Sequence, residues 1–517
     1  MLVIATAIPV LLVVWFEGGD YFGRDPIEFN CSSVRPIKRG ASVFRSGLGL
    51  FSLVLCLALS AFYLVGWVPS IFVTSIFLSC HFLAAFAWGP EGRGGLLARL
   101  YLLVYIMPYV HIFEYIGFSF NPNTPIIVGG LLANPYTLDQ QVMTKTFAIG
   151  LIGLQALSAG VFFVSESRHD NQSKQATLAM LPFSVLIISS LFFSWLYAPI
   201  DTIFQTRYTE SLNILQSWKV SFNASWLLSY TLAIVALCDL LMDQDLNRKR
   251  LKIAILAPAF LIIIVYFQFL RGDRECMGLV VSVAILSLSP FLKSKLVFSS
   301  RNIFIVFLAL LLSVVFFMSA QYVGAVRSIA SSDSRVELED PGVSVVGGTW
   351  SASLLSTVSV VGDIHYERMD YEWGQTYLDY FLSLPPSFLA QKIGYVRPID
   401  TKEGNVAWKM RYGIGGNQVV VVPFMNFGPI GVVSIFLLIG FMLGKIEANS
   451  SHKKSVRTMF YVGVMGIIAP HWFWYGDLAL IRGIMSGFVV LVFYEFFILF
   501  STPLFSRRRL RHLLSSA

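Results

Sequence analysis

Charge is scarce in this 517-residue chain: Asp, Glu, Lys and Arg together make 13% of it, where a soluble domain carries about 25%. That shortage excludes a water-facing globular surface of ordinary composition. Cysteine is also sparse. The five residues Cys31, Cys56, Cys80, Cys238 and Cys276 show no C-x-x-C spacing. Four fall in predicted spans or cytoplasmic loops and only Cys276 lies near an outer edge, so neither a disulfide framework nor a cysteine zinc site is expected. No Gly-rich phosphate loop opens a helix and no H-E-x-x-H occurs, which leaves ATP-driven and zinc-protease chemistry unsupported. The sequence calls for no metal and no cofactor. The formal net charge of +8 is not a nucleic-acid signature either, because the basic residues sit in short clusters between apolar runs.

What the chain has instead is apolar length. Hydrophobic residues make 56% and aromatics 15%, and the mean hydropathy is +0.69. Runs near 1–16, 48–65, 71–88, 96–116, 141–164, 177–198, 224–242, 253–270, 277–292, 302–321, 418–443, 458–475 and 484–503 predict an all-α polytopic membrane protein of about 13 spans, each of roughly 17–25 residues. The first run, Met1 to Phe16, lacks a basic start and an A-x-A-type cleavage site, so it reads as a retained helix. Alternate connections are basic: Arg35, Lys38, Arg39 and Arg45; Arg168 and Lys174; Arg248, Lys249, Arg250 and Lys252; Lys293, Lys295 and Arg301; Lys445, Lys453, Lys454 and Arg457; and the tail from Arg507 to Arg511. The positive-inside rule makes these cytoplasmic, with the amino terminus outside and the carboxyl terminus inside. The expected organisation is a first helical block over 1–321, a large outer loop over 322–417, further spans over 418–503 and a basic tail over 504–517.

Within that topology, the cations on the wrong side are informative. Arg271-Gly272-Asp273-Arg274-Glu275 joins two spans on the outer side almost without a loop, and residues three apart share a face of a helical turn. Arg482 lies in another outer connection, and the long loop adds Arg327, Arg335, Arg368, Lys392, Arg397, Lys402, Lys409 and Arg411. Guanidinium groups grip phosphate oxygens through paired hydrogen bonds, so such a cluster suits a lipid pyrophosphate head group. The structural alternative is snorkelling, or pairing with Asp273, Glu275 and Asp477. Acid–base candidates in the loop are Asp363, His365, Glu367, Asp370 and Glu372, with His471 and Asp477 at the neighbouring edge. Asp363, His365 and Glu372 are taken as the catalytic set, since deprotonating a sugar hydroxyl needs one such group within hydrogen-bond reach. Gly374 to Lys392 reads as two short amphipathic pieces broken at Pro385-Pro386, and Val343 to Val361 as a packed loop helix or a re-entrant segment. Asp243-Gln244-Asp245 matches D-x-D, but in a short cytoplasmic hairpin it reads as a solvated tip.

Four pieces of the later half resemble the Wzy-type O-antigen (oligosaccharide repeat-unit) polymerases. Gly374-Gln-Thr-Tyr377, followed by Pro385-Pro386-Ser387 and Lys392, is similar to a "G-x-x-Y-L … I-P-R/S … K" stretch of that family's large periplasmic loop. Asn426-Phe427-Gly428-Pro429-Ile430-Gly431 resembles its "N-F-G-x-x-G", Arg271-Gly-Asp-Arg274 its arginine pair before a span, and Ile481-Arg482-Gly483 its late "R-G". Pro386-Ser387 stands where the family more often has Pro-Arg. The resemblance covers about 265–485 and implies a GT-C-like, metal-independent glycosyltransferase at the periplasmic face of the bacterial inner membrane. Its substrates would be undecaprenyl-pyrophosphate-linked oligosaccharides, as donor and as acceptor. A chain-length regulator and a flippase would be its partners, besides membrane lipids. Motif match gives Arg271, Arg274 and Arg482 the pyrophosphate role; Arg411 and Arg327 are added for their closeness to span ends.

Two other readings stay in view. An O-antigen ligase uses the same donor but delivers glycan to lipid A-core. A transporter or lipid flippase would need midplane polar sites or internal repeats, whereas the ionisable residues inside spans are few: Glu114, Lys145, Asp239 and Glu495, with His81.

Overall fold

A computed structural model describes residues 37–87, 93–110, 112, 115–117, 135–164, 222–242, 246–264, 278–279, 281–283, 285–286, 354–382, 392, 394, 419–452 and 456–515. Among them there is no strand. The main helices are α1 (Ile37–Leu64), α2 (Ile71–Ala87), α3 (Arg93–Ile106), α4 (Gln140–Phe163), α5 (Phe222–Met242), α6 (Leu246–Ile264), α7 (Leu354–His365), α8 (Gln375–Leu382), α9 (Val421–His452) and α10 (Val456–Ser515). Among the described residues, four segments are long and apolar enough to cross a membrane: Ser46–Leu64, Gln140–Phe163, Val421–Ile446 and Gly476–Tyr494. The expected spans 1–16, 177–198 and 302–321, and Asp243-Gln244-Asp245, lie outside the described residues, as does most of 277–292.

The centre of the bundle is α4, which is buried from Val142 to Phe162 apart from Lys145. A helix apolar on every side belongs inside a bundle. It packs chiefly on α9, α1 and α2. Small residues bring α4 and α9 together: a Cβ on Gly440 would stand 2.2 Å from the Leu157 carbonyl oxygen, and one on Gly160 2.3 Å from that of Leu437. Such backbone-to-backbone approach is how helices associate where lipid removes the hydrophobic drive between them. Leu50, Phe51, Val54 and Leu57 of α1 point outward, while Ser52, Cys56 and Ser60 point inward. The Ser52 and Ser60 hydroxyls donate to the carbonyls of Leu48 and Cys56, and the Cys56 thiol donates to that of Ile152.

Three boundaries differ from the sequence reading. Helix α1 starts at Ile37, so Lys38, Arg39 and Arg45 ride on the helix rather than in a loop before it. Helix α6 likewise begins at Leu246, ahead of its basic cluster. Lys and Arg are good helix formers with stems long enough to reach water, so hydropathy marks where the apolar run starts and not where the helix does. The span expected over 484–503 begins earlier, at Gly476, where a kink within α10 (φ 57°, ψ −146°) separates it from the helix over 458–475. Between α7 and α9 the loop is partly helical. Leu354, Val358, Val360 and Val361 are buried, which makes the described part of the apolar 343–361 stretch a packed helix.

Replacing Gly440 with Leu should lower the melting temperature in detergent, because overpacking costs about 1–3 kcal/mol. Gly47→Leu, where a Cβ would meet nothing within 4 Å, should not lower it, since leucine is the better helix former.

Candidate functional site

The site forms at one end of the bundle, where the start of α4, the end of α7, the segment 366–374, α8, the start of α9 and the Gly476 break of α10 meet.

Its organising feature is a break in α9. Gly428 is non-helical (φ 63°, ψ −152°) and Pro429 follows it. Proline has no N–H, so the carbonyl four residues earlier, that of Met425, loses its helical partner, and the non-helical Gly428 disrupts the next bond. The loop supplies both replacements. The Glu372 amide donates to the Met425 carbonyl and the Trp373 amide to the Asn426 carbonyl, each at 3.0 Å. The Gly374 amide donates to the Asn426 side-chain Oδ1 at 2.8 Å, and Asn426 Nδ2 donates to the Val422 carbonyl at 2.8 Å. Gly374 has φ +95°, and a Cβ there would approach the Phe427 ring at 3.0 Å. Glycine is what lets three consecutive amides face the broken helix.

Next along the chain, the Tyr377 ring stacks on Phe427 (centroids 6.3 Å, interplanar 11°). Its hydroxyl donates to Asp477 Oδ2 at 2.6 Å, and Trp472 Nε1 donates to Asp477 Oδ1 at 3.4 Å. Asp477 follows the Gly476 break and is buried. Burial, with the Asp477 charge, pushes the Tyr377 hydroxyl far above its usual range, so it stays a donor. Arg482, about one helical turn beyond Asp477, faces Tyr380 closely enough to act on it electrostatically. The pieces Gly374–Tyr377, Asn426–Gly428 and Arg482, separated in sequence, therefore share one locality.

A second cluster surrounds the end of α7. Tyr136 donates to Asp363 Oδ1 at 2.7 Å, and Arg368 Nη1 donates to the Tyr136 oxygen at 2.8 Å. The Arg368 guanidinium lies over the rings of Tyr136 (5.6 Å) and Tyr366 (5.8 Å), which stack on each other at 5.8 Å. Asp139 caps α4, accepting from the amides of Gln141 (2.8 Å) and Val142 (3.2 Å), while its other oxygen accepts from the Tyr366 hydroxyl. Partial burial opposes ionisation of Asp139, but these hydrogen bonds outweigh it and hold the carboxyl below its ordinary range. His365 Nδ1 lies 2.9 Å from Lys145 Nζ. Burial, then the Lys145 charge, keep the His365 pKa below its usual value, with Asp139 pulling the other way.

Of the catalytic set, Asp363 and His365 fall in this second cluster, and Glu372 in the first, where its Oε2 accepts from Thr376 Oγ1. Arg271, Arg274, Arg327 and Arg411 lie outside the described residues. Sequence reasoning gave no site role to Asn426's side chain, Tyr136, Asp139 or Lys145. The signals available were the Asn two residues before Gly428-Pro429 and the Asp immediately before an apolar run, which is a helix-capping pattern. Among the described residues, no three His, Cys, Asp or Glu side chains gather as a metal site.

Asn426→Ala should leave the Gly374 amide without its acceptor, a loss of about 1–3 kcal/mol for a buried group. Thermal melting and limited proteolysis around 366–382 should both report it. No family model, curated protein or solved structure matches this chain.

Proposed function

We propose that the chain is a surface-polysaccharide polymerase of the bacterial inner membrane. It transfers a growing glycan from undecaprenyl pyrophosphate to a lipid-linked repeat unit at the periplasmic face. On this reading it has about 13 spans in a GT-C-like arrangement.

The observation that carries the proposal is the meeting of three motif pieces. The loop piece Gly374–Tyr377 hydrogen-bonds and stacks on Asn426–Phe427, and its Tyr377 reaches Asp477, about one turn before Arg482. A cation at the rim of an apolar helix bundle, under a loop carrying carboxylates and an imidazole, suits a reaction whose leaving group is an anion on a lipid tail. In the transfer, the acceptor hydroxyl oxygen bonds to the anomeric carbon of the donor. The bond from that carbon to the pyrophosphate oxygen breaks, and the pyrophosphate leaves with the electron pair. Arg482, with Arg271 and Arg274, would meet the charge that develops there. A group of the His365 cluster would take the hydroxyl proton. The exposed apolar side chains Leu378 and Phe381 of α8 and Ile430 of α9 offer lipid-facing surface beside the site for prenyl chains.

The test is deletion of the gene in its native bacterium, complementation with variants, and surface polysaccharide on a silver-stained gel. Deletion should leave core bearing a single repeat unit and no ladder. Arg482→Ala, present in the membrane at normal level, should cut polymer by about 10²–10³-fold, as loss of one charge-stabilising donor does. A normal ladder from Arg482→Ala would remove its assigned role. Bare core with polymer held on its lipid carrier would mark a ligase, and an unchanged ladder on deletion would sink both enzymatic readings.

A further inference from the structure

The contact between Lys145 and His365 joins a cation from a bundle helix to an imidazole from the loop. Lys145 lies one turn into α4 and is half-buried, while its neighbours Val142, Met143, Thr144, Thr146 and Phe147 are buried. His365 closes α7, and its Nδ1 is 2.9 Å from Lys145 Nζ. The groups around the pair are Asp139 and Tyr136 from the approach to α4, and Asp363, Tyr366 and Arg368 from its own segment. The Tyr366 ring packs 4.9 Å from the imidazole. Asp363 is engaged by Tyr136, and Asp139 by Tyr366 and two amides.

A hydrogen bond between an amine and an imidazole holds one proton, and its position decides what the other ring nitrogen does. If Lys145 is an ammonium, Nζ donates to Nδ1, the ring proton sits on Nε2, and Nε2 has no lone pair to offer. If Lys145 is a neutral amine, Nδ1–H donates to Nζ and Nε2 keeps its lone pair. Only the second arrangement makes His365 a base.

We infer that Lys145 is a positioning residue for the transfer: its neutral amine accepts the Nδ1 proton of His365 and so aims the Nε2 lone pair at the acceptor hydroxyl. The inference rests on the polymerase reading above. During the transfer the hydroxyl proton moves to Nε2 and the Nδ1 proton moves to Nζ, so the pair ends as Lys145 ammonium and neutral His365. The excess proton then leaves to solvent at the exposed rim. Burial and a neighbouring Lys145 ammonium both lower the His365 pKa, and the arrangement that transfers is the one without an excess proton. Transfer should accordingly rise with pH as the pair gives that proton up.

Two substitutions separate this role from a plain need for positive charge. Glutamine presents a carbonyl oxygen that accepts from Nδ1–H, whereas arginine only donates and fixes the proton on Nε2. In membranes supplied with the lipid-linked repeat unit, Lys145→Gln should retain transfer, with the acid limb of its pH profile moved lower. Lys145→Arg should fall by about 10²–10⁴-fold at every pH, the size of a lost general-base contribution. Lys145→Leu, which offers Nδ1–H no acceptor, should also lose transfer and serves if the Arg variant is not found in the membrane. Arg equal to or better than Gln, or a folded Gln variant without transfer, would overturn the inference while wild-type transfer keeps the polymerase reading intact. Absence of transfer by the wild type would overturn both.

Discussion

The pair of backbone carbonyls released where α9 breaks at Gly428-Pro429 is the constraint on which the rest of the site depends. In a helix within an apolar bundle, unpaired carbonyls are costly, and a partner has to come from outside the helix. Here the partners are the amides of Glu372 and Trp373, and the next amide, that of Gly374, donates to the Asn426 side chain. That docking fixes the loop in register against the bundle. From it follow the stacking of Tyr377 on Phe427 and the bond from Tyr377 to Asp477. Trp373 takes a positive φ of 48°, a strain of order 1–3 kcal/mol for a residue other than glycine, which the flanking hydrogen bonds hold in place.

The second cluster depends on a different device. Asp139 ends the approach to α4 and offers one carboxyl oxygen to the helix's first free amides and the other to Tyr366. A helix cap thereby becomes an attachment point for the loop. Lys145, one turn further in, meets His365. The residues 366–374 connect the two clusters directly, so the loop is tied to α4 at one end and to α9 and α10 at the other. On the proposed reading, the acid–base group stands at one end of this short tether and Arg482, on α10, near the elements to which its other end is tied.

Helices announce themselves in the sequence through apolar length, which is why α2, α4 and α5 fall within a few residues of their expected limits. Basic ends are less legible, since a helix continues through Arg and Lys while hydropathy falls; α1 and α6 both begin earlier than the apolar run. The Gly476 break leaves no composition signal strong enough to say whether the chain turns through a loop or kinks in place. Asp363, His365 and Glu372 were legible as candidates because ionisable groups are rare in this chain. Their partners were not. Lys145 lies 220 residues from His365 and Tyr136 lies 227 from Asp363, and a single sequence has no periodicity that links such distances. Lys145 in particular reads as a stray charge near a span end until the loop is seen packed on it.

The most direct measurement reconstitutes the purified chain in liposomes with its lipid-linked repeat unit and no lipid A-core, and follows both products. Each lengthening of the lipid-linked glycan by one repeat should release one polyprenyl pyrophosphate. Transfer that appears only when lipid A-core is added, or lengthening without release of the pyrophosphate carrier, would contradict the account.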